Sequence, residues 1–548
     1  VVGGGNPFAT SDEDVRRIAL QRLRQIEPMG DGAGAVRRET PRLDIDEATL
    51  RDEVLALRRA FAEKPTLEVS LEEARASALA HNLNLQVAMM DPAIARERVN
   101  AEAARFSAVF EVDARYEDAA RATGSRVSSQ TTKQARLTPS LTVPMRTGGS
   151  VQVSTFASRV EQDNEFAEVP EFYNTGATVS VSQPLLRGAG RRVNLAGLRI
   201  AVYDEQASLA RTKLETIAQL AEVERAYWRL YAARAALDVN VQQIELADKQ
   251  LSTSRRRVEQ GASAQVEVDR SRAGLAQRVE GLLQAQNTVL EAQRQVKLIM
   301  NKPGLTLDTP TALVPSTLPD PVEYLLDREQ LQRAAQANRM ELAELELQLA
   351  ADAARVLLER NGTLPDVRFL ASYGASGLNE QLGDALQDAL ERESREWSVG
   401  ASLSMPLDNE AARSRLRGAL LERLQRGRSK AAREQAIAQQ TLRAADALET
   451  AWQRILATRI AAIAAGTALA SEQRQFEIGA STSTDVLNAA STLAQAQLAE
   501  IQSLTDYQIA LVDLSVATGT LLGAAKVDLD ISAPVPTVDV RAAEGVEE

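Results

Sequence analysis

Residues 261–277 read GASAQVEVDRSRAGLAQ, and residues 479–495 read GASTSTDVLNAASTLAQ. Gly261 falls on Gly479, Ser263 on Ser481, Glu267 on Asp485 and Val268 on Val486. Upstream, ERAYWRLYAAR (224–234) matches ETAWQRILATR (449–459), and VSVSQPL (179–185) resembles ASLSMPL (401–407). Three matches in one order, at a period of roughly 220 residues, mark an internal duplication, and a repeat of that size decides the fold. Arg234 lies 27 residues before Gly261, and Arg459 lies 20 before Gly479. The difference of seven is one heptad, which shortens a coiled coil without rotating its packing face. Each unit is therefore expected to carry a long coiled-coil arm that reverses at its GAS segment. Gly261 and Gly479 suit a left-handed helix end. Ser263 and Ser481, or the residues just after them, suit the caps of the returning helices.

Outward from the turns, residues 188–255 and 409–475 contain no proline. At ~1.5 Å per residue each arm would span about 100 Å. The first arm carries two adjacent apolar stripes, one through Leu214, Ile217, Ala221 and Trp228, the other through Leu220, Val223, Tyr227 and Leu230. Two seams on one helix predict packing against two neighbours, as in a closed ring. Before each arm the period drops to two. Phe110, Val112, Ala114 and Tyr116 alternate with charged residues, and similar runs occupy 178–184, 366–374 and 398–406. These are strands with one apolar and one wet face. LTPSLTVPM and SVQVSTFA flank Thr147-Gly148-Gly149 as an extra hairpin over 137–158, and 378–391 reads as a short amphipathic helix.

Composition narrows the function. Aromatic residues make up 4% of the 548, and alanine, leucine, arginine, glutamate and glutamine dominate the middle and the end, as in long helices. A net charge of −12 without a basic, aromatic-laced patch argues against a nucleic-acid partner. With no cysteine and one histidine, His81, neither a thiolate nor a multi-histidine metal site can be built within one chain. No nucleophile–base pair, phosphate loop or metal spacing appears, so neither an enzyme nor a cofactor is expected. The best apolar run, 460–470, is shorter than a membrane-spanning helix. The start at Val1 lacks a charged region followed by an apolar one, and any export signal is expected to have been removed.

The pattern F-x-x-G-x-S-T-x-x-D-V-L-x-A-x-x-x-L-x-x-A, from Phe476 to Ala496, resembles the signature of TolC-type outer membrane efflux proteins. YQIALVDLSVATGTLLG (507–523), QPLLRGAGRR (183–192) and LAHNLNLQVA (79–88) are similar to that family too. The resemblance covers roughly 66–523 in both halves. It implies an α+β membrane protein that assembles as a homotrimer. About four strands per protomer would build one twelve-stranded barrel in the bacterial outer membrane, continuous with a periplasmic α-helical coiled-coil barrel. It also implies a passive duct of a tripartite efflux or type I secretion system, working with a periplasmic adaptor and an inner-membrane pump. The alternative is a periplasm-spanning envelope scaffold with a closed tunnel.

The organisation expected is an extension over 1–65, a first repeat over 66–304 (helix, strands in 108–186, hairpin 188–300), and a linker over 305–325. A second repeat follows over 326–523 (helix, strands in 364–407, hairpin 409–522), then a tail over 524–548. The family's lipid anchor needs an N-terminal cysteine, so no acylation is expected. The GAS turns read either as plain connectors or, by the resemblance, as the adaptor-docking end. The docking candidates are Gly261, Ser263, Val266, Gly479, Ser481, Asp485 and Val486. The family narrows its tunnel with acids before the second glycine. The directly matching position is Ala470, so Glu472 and Glu477 stand as constriction candidates, with Arg255 and Arg257 as their pairing cations or as partners of the helix dipole.

Overall fold

The structure, a computed structural model, describes residues 65–120, 131–163, 169–391 and 394–527. The extension expected over 1–65 lies, but for its last residue, outside the described residues. Strand β1 (Thr66–Val69) opens the chain, followed by helices α1 (Leu71–His81) and α2 (Leu83–Ala104). The sequence reads 66–107 as helix capped by Ser70 or Thr66; Ser70 is the cap, accepting from the Glu73 amide, and the four residues before it are extended. Four strands come next: β2 (Val109–Ala120), β3 (Thr131–Pro144), β4 (Ser150–Gln162) and β5 (Glu171–Pro184). A short α3 (Arg191–Asn194) leads into α4 (Ala196–Glu259), which reverses into α5 (Gln265–Met300). Strand β6 (Ala312–Pro315) lies within the expected linker and pairs in parallel with β1. Helices α6 (Arg328–Asn338) and α7 (Met340–Gly362), strand β7 (Asp366–Asn379), helix α8 (Leu382–Glu391) and strand β8 (Ser394–Ser404) follow. The chain then runs through α9 (Glu410–Glu477) and α10 (Ser483–Thr518) to a short α11 (Leu521–Ala524).

Among the described residues the sheet holds six strands in the order β2-β3-β4-β5-β7-β8, every pair antiparallel. This corrects the expectation of about four strands per chain. The 137–158 hairpin is not an appendage: β3 and β4 pair with β2 and β5 inside the sheet. Its turn is held at the helical end by Met145 N–H to Gly149 O at 2.7 Å, with Gly148 at φ +94°. The register aligns one chemistry across all six strands. One face carries Phe110 and Val112, then Leu141 and Val143, Val151 and Val153, Val179 and Val181, Phe369 and Tyr373, and Trp397, Val399 and Leu403. The opposite face carries Glu111, Asp113, Thr142, Gln152, Ser154, Ser180, Ser182, Ser372, Ser398 and Ser402.

Below the sheet, α4 packs against α5 on one flank and α10 on the other, and α10 packs against α9. Helix α7 fills the space between α4 and α9, whereas α2 packs on α4. A buried cluster at mid-height ties the arms to the β1–β6 pair through Val69, Tyr227, Trp228, Met300 and Leu313. There the Tyr227 hydroxyl donates to Val69 O at 3.1 Å and accepts from the Thr317 amide at 2.9 Å. α9 has one apolar window that is long enough to cross a bilayer by length and composition. The sequence suggests no such span, because the run at 460–470 is short, alanine-rich and interrupted by Gly466 and Thr467. Little of that window is buried, and Leu456, Ile460 and Ile463 stand exposed.

Candidate functional site

The two GAS turns lie side by side at the end of the arms, and both glycines adopt the left-handed conformation, φ +68° at Gly261 and +81° at Gly479. Each turn closes alike: the Ala262 amide donates to Arg257 O and the Ala480 amide to Gln475 O. That pattern satisfies carbonyls the helix end leaves free. The starts of the returning helices differ. Thr482, not Ser481, caps α10, in a capping box with Asp485. The Asp485 carboxylate accepts from the Thr482 hydroxyl at 2.6 Å and amide at 3.0 Å. These bonds, the hydroxyl's first, hold its pKa below the usual carboxylate range. Ser481 instead donates to Glu472 Oε2 at 2.7 Å, tying that acid to its own turn. The start of α5 has Ala264 at the cap position with no side-chain bond.

The residue equivalent to Asp485 is Glu267, and it caps the other hairpin. Its Oε2 accepts from the Ser483 hydroxyl and from the Ser483 amide at 3.2 Å, while Oε1 accepts from Arg270 Nη1 at 2.8 Å. The Ser483 hydroxyl foremost, then its amide and Arg270, lower the Glu267 pKa against the opposing effect of burial. A second link runs the other way. Arg257 Nη1 donates to Phe476 O at 2.7 Å, and its guanidinium lies 4.6 Å over the Phe476 ring. The hairpins also touch where Leu487 packs over Gly274, with no room for a Cβ: one would come within 2.9 Å of a Leu487 methyl.

The sequence-named residues fall into three groups. Gly261, Val266, Gly479 and Asp485 are exposed, and Ser263 and Ser481 partly so. Val486 is 1% exposed, packed with Leu469, Phe476 and Ala490, so it is not part of the turn's outer surface. Of the constriction candidates, Arg257 joins the hairpins, Glu472 is bound by Ser481, Glu477 is exposed, and Arg255 lies partly exposed on the last turns of α4. The arginines at equivalent positions of the two repeats, Arg234 and Arg459, also diverge. Arg234 is half-buried, its Nε buried without a partner and its pKa lowered by desolvation, whereas Arg459 is exposed and paired with Glu500. Sequence reasoning passes over Glu267, Ser483 and Phe476 as a linking set. The signal available was the alignment of Glu267 with Asp485, a capping position whose own helix lacks a capping side chain.

Comparison with known proteins fits this geometry. Among solved structures, the outer-membrane channel OprN superposes with a TM-score of 0.63 at 18% identity, over 89% of this chain and 98% of that one. The CmeC outer membrane channel of Campylobacter jejuni gives 0.63 at 14% identity, over 94% and 95%. The open state of the MtrE outer membrane channel of Neisseria gonorrhoeae gives 0.59 at 17%, over 82% and 89%. At these identities the likeness establishes the fold. No curated protein matches the chain. The family model described as outer membrane efflux protein matches residues 150–302 and 331–520, which is most of both halves. By that match this chain belongs to the outer membrane efflux protein family, whose members are channels and not enzymes.

Proposed function

We propose that three copies of this chain form a duct that crosses the bacterial outer membrane and extends through the periplasm. The observation that carries this reading is the six-stranded sheet with one apolar face, one polar face and two edges, β2 and β8, that are unpaired among the described residues. A sheet in a bilayer must leave no open edge, because unpaired backbone groups cost several kcal/mol each in hydrocarbon. Pairing β8 of one copy with β2 of the next removes both edges and, with three copies, gives an eighteen-stranded barrel with an apolar exterior and a polar interior.

The helices support the same joint. α7 sits between α4 and α9 of its own chain, while its counterpart α2 leaves Leu83, Val87, Met90 and Ile94 exposed on the side away from α4. The bare side of α9 offers Leu420, Leu421 and Leu424 at similar height beneath the sheet. Lower down, exposed Leu456, Ile460 and Ile463 of α9 would meet α5 of the next copy. Exposed helical stripes with alternate partners inside and between copies suit a closed ring.

The duct would passively carry cargo delivered by a pump. The turns at 261–263 and 479–481 would form the periplasmic mouth and receive an adaptor. The Glu267–Ser483 and Arg257–Phe476 links would set its resting width. Reconstituted protein should run as a trimer by mass and conduct ions in planar bilayers. A stable monomer in a membrane mimic would overturn the assembly. A trimer that never conducts, even with Glu267 and Arg257 replaced, would favour a sealed scaffold.

A further inference from the structure

Helix α8, between β7 and β8, has no part in the duct just described. It lies on the apolar face of the sheet, at the end far from the arms. The Thr175 hydroxyl, fully buried, donates to Ala385 O at 2.9 Å. Gly377, the register partner of Thr175, has no room for a side chain: a Cβ there would come 2.2 Å from the same carbonyl oxygen and 2.5 Å from Ala389 N. Asn379 Nδ2 donates to Asp388 Oδ2 at 3.0 Å. Thr175 and Gly377 belong to the same face as Val179, Val181, Tyr373 and Phe369, so the helix is seated on the outside of the proposed barrel.

At about 100° per residue, the ten residues of α8 sort onto three separate faces. Ala385, Asp388 and Ala389 meet the sheet. Asp384, Gln387 and Glu391 make a polar face. Leu382, Leu386 and Leu390 make an apolar one, exposed at 42, 47 and 82%. Beside the apolar face, an open cleft of about 470 Å³ is bounded by Leu382 together with Ala114, Leu137, Ala157 and Tyr173 of the sheet. The leucines therefore continue the apolar band of the strands around the helix, while the acids point elsewhere. One apolar and one charged face on a short helix is the pattern of an element lying in a membrane interface.

We infer that α8 is an interfacial anchor whose leucines insert among the acyl chains of the outer leaflet. It would fix the height of the barrel in the membrane from the outside. The inference rests on the apolar face of the sheet being the lipid face. The occupant is lipid because the leucines are continuous with that band.

The absence of native cysteine makes the test direct. Single-cysteine variants Leu386→Cys, Gln387→Cys and Val153→Cys of the full chain, each labelled with an environment-sensitive fluorophore, are reconstituted in vesicles containing spin-labelled phospholipid. Label at position 386 should be quenched at least about twofold more than label at 387, and more by shallow than by deep spin labels. Label at 153 should be quenched by deep ones. Quenching at 153 with none at 386 would overturn the anchor and leave the barrel standing, since the leucines would then be covered by protein or by water. No quenching at 153 would overturn the barrel assignment, and the anchor with it.

Discussion

In the first half of the chain, four strands lead through Pro184 into α4, a helix covered along both flanks; in the second, two strands lead through Pro406 into α9, a helix with one flank bare. The tips diverge as well. The second turn caps its own helix with Thr482 and Asp485, whereas the first gives up its cap, and Glu267 reaches across to the start of α10 instead. The duplication thus produced two unequal hairpins, and the same acidic position serves as a local cap in one and as a bond between the hairpins in the other. In the proposed ring one joint would lie inside each copy and another between copies, and Glu267 fixes the joint inside the copy.

The largest expected effect tests the unequal strand count. Val153→Arg, in the strand pair that has no counterpart in the second half, should cost roughly 2–4 kcal/mol if it lies near the bilayer midplane. Ser154→Arg, on the opposite face, should be far milder. Trimer yield and heat resistance in detergent read the difference. Equal tolerance of both would mean that β3 and β4 are not lipid-facing like their neighbours.

Next in size, Glu267→Gln should weaken the joint between hairpins by about 1–2 kcal/mol, a charge-assisted bond discounted for its partly exposed setting. Amide exchange should quicken at Ser483 and the open fraction in bilayers should rise. Because the Glu267 and Asp485 pKa values are both lowered in the folded state, their bonds are intact above the ordinary carboxylate range and are lost as pH falls through the lowered values. Conductance should therefore increase on acidification, with a smaller step in Glu267→Gln. An unchanged step would assign the response to Asp485.

Gly261→Ala and Gly479→Ala should each cost about 1 kcal/mol, since both positions hold positive φ and neither has a crowding neighbour. Thermal melts should shift alike for the two. A much larger shift at 479 would mean that Arg257, whose Nη2 is 3.7 Å from the would-be Cβ, governs that turn. The smallest change is a gain: Ala264→Ser should restore a cap to α5 and add about 0.5–1 kcal/mol, which the already capped α10 cannot gain.

The parts legible in the sequence are those with a strong local period. Alternation in 110–117 and 366–374 predicts strands, unbroken helix formers after Pro184 and Pro406 predict the arms, and Gly261 and Gly479 predict their reversals; all of these appear in the fold. The strand count is not legible in the same way. β3 carries Pro139 and Arg136 among its threonines, a pattern that reads as a loose hairpin until pairing on both sides fixes it. β1 and β6 are four residues each, too short for any period, and exist because Tyr227 and Val69 bury their join. The link at the tips is hidden for another reason. The partner of Glu267 lies 216 residues away, and no local pattern encodes a bond made across a duplication.

The seam between β5 and β7 carries a consequence for how the molecule is made. Every other strand pair in the sheet joins neighbours in the chain, but Pro184 pairs with Arg368 only after the whole α4–α5 hairpin has been threaded between them. Closing a loop of roughly 180 residues costs little more than closing one of half that length, because the entropy grows with the logarithm. If α4 and α5 zip up first, the effective gap shrinks to the distance between their feet. Synthesis from the N-terminus presents β2 to β5 as a finished block early, with the inner edge of β5 bare until β7 emerges. Contacts of such long sequence separation slow folding. In that interval β5 is the strand most open to pairing with the wrong chain, so errors of assembly are expected to concentrate at this internal seam ahead of the joints between copies.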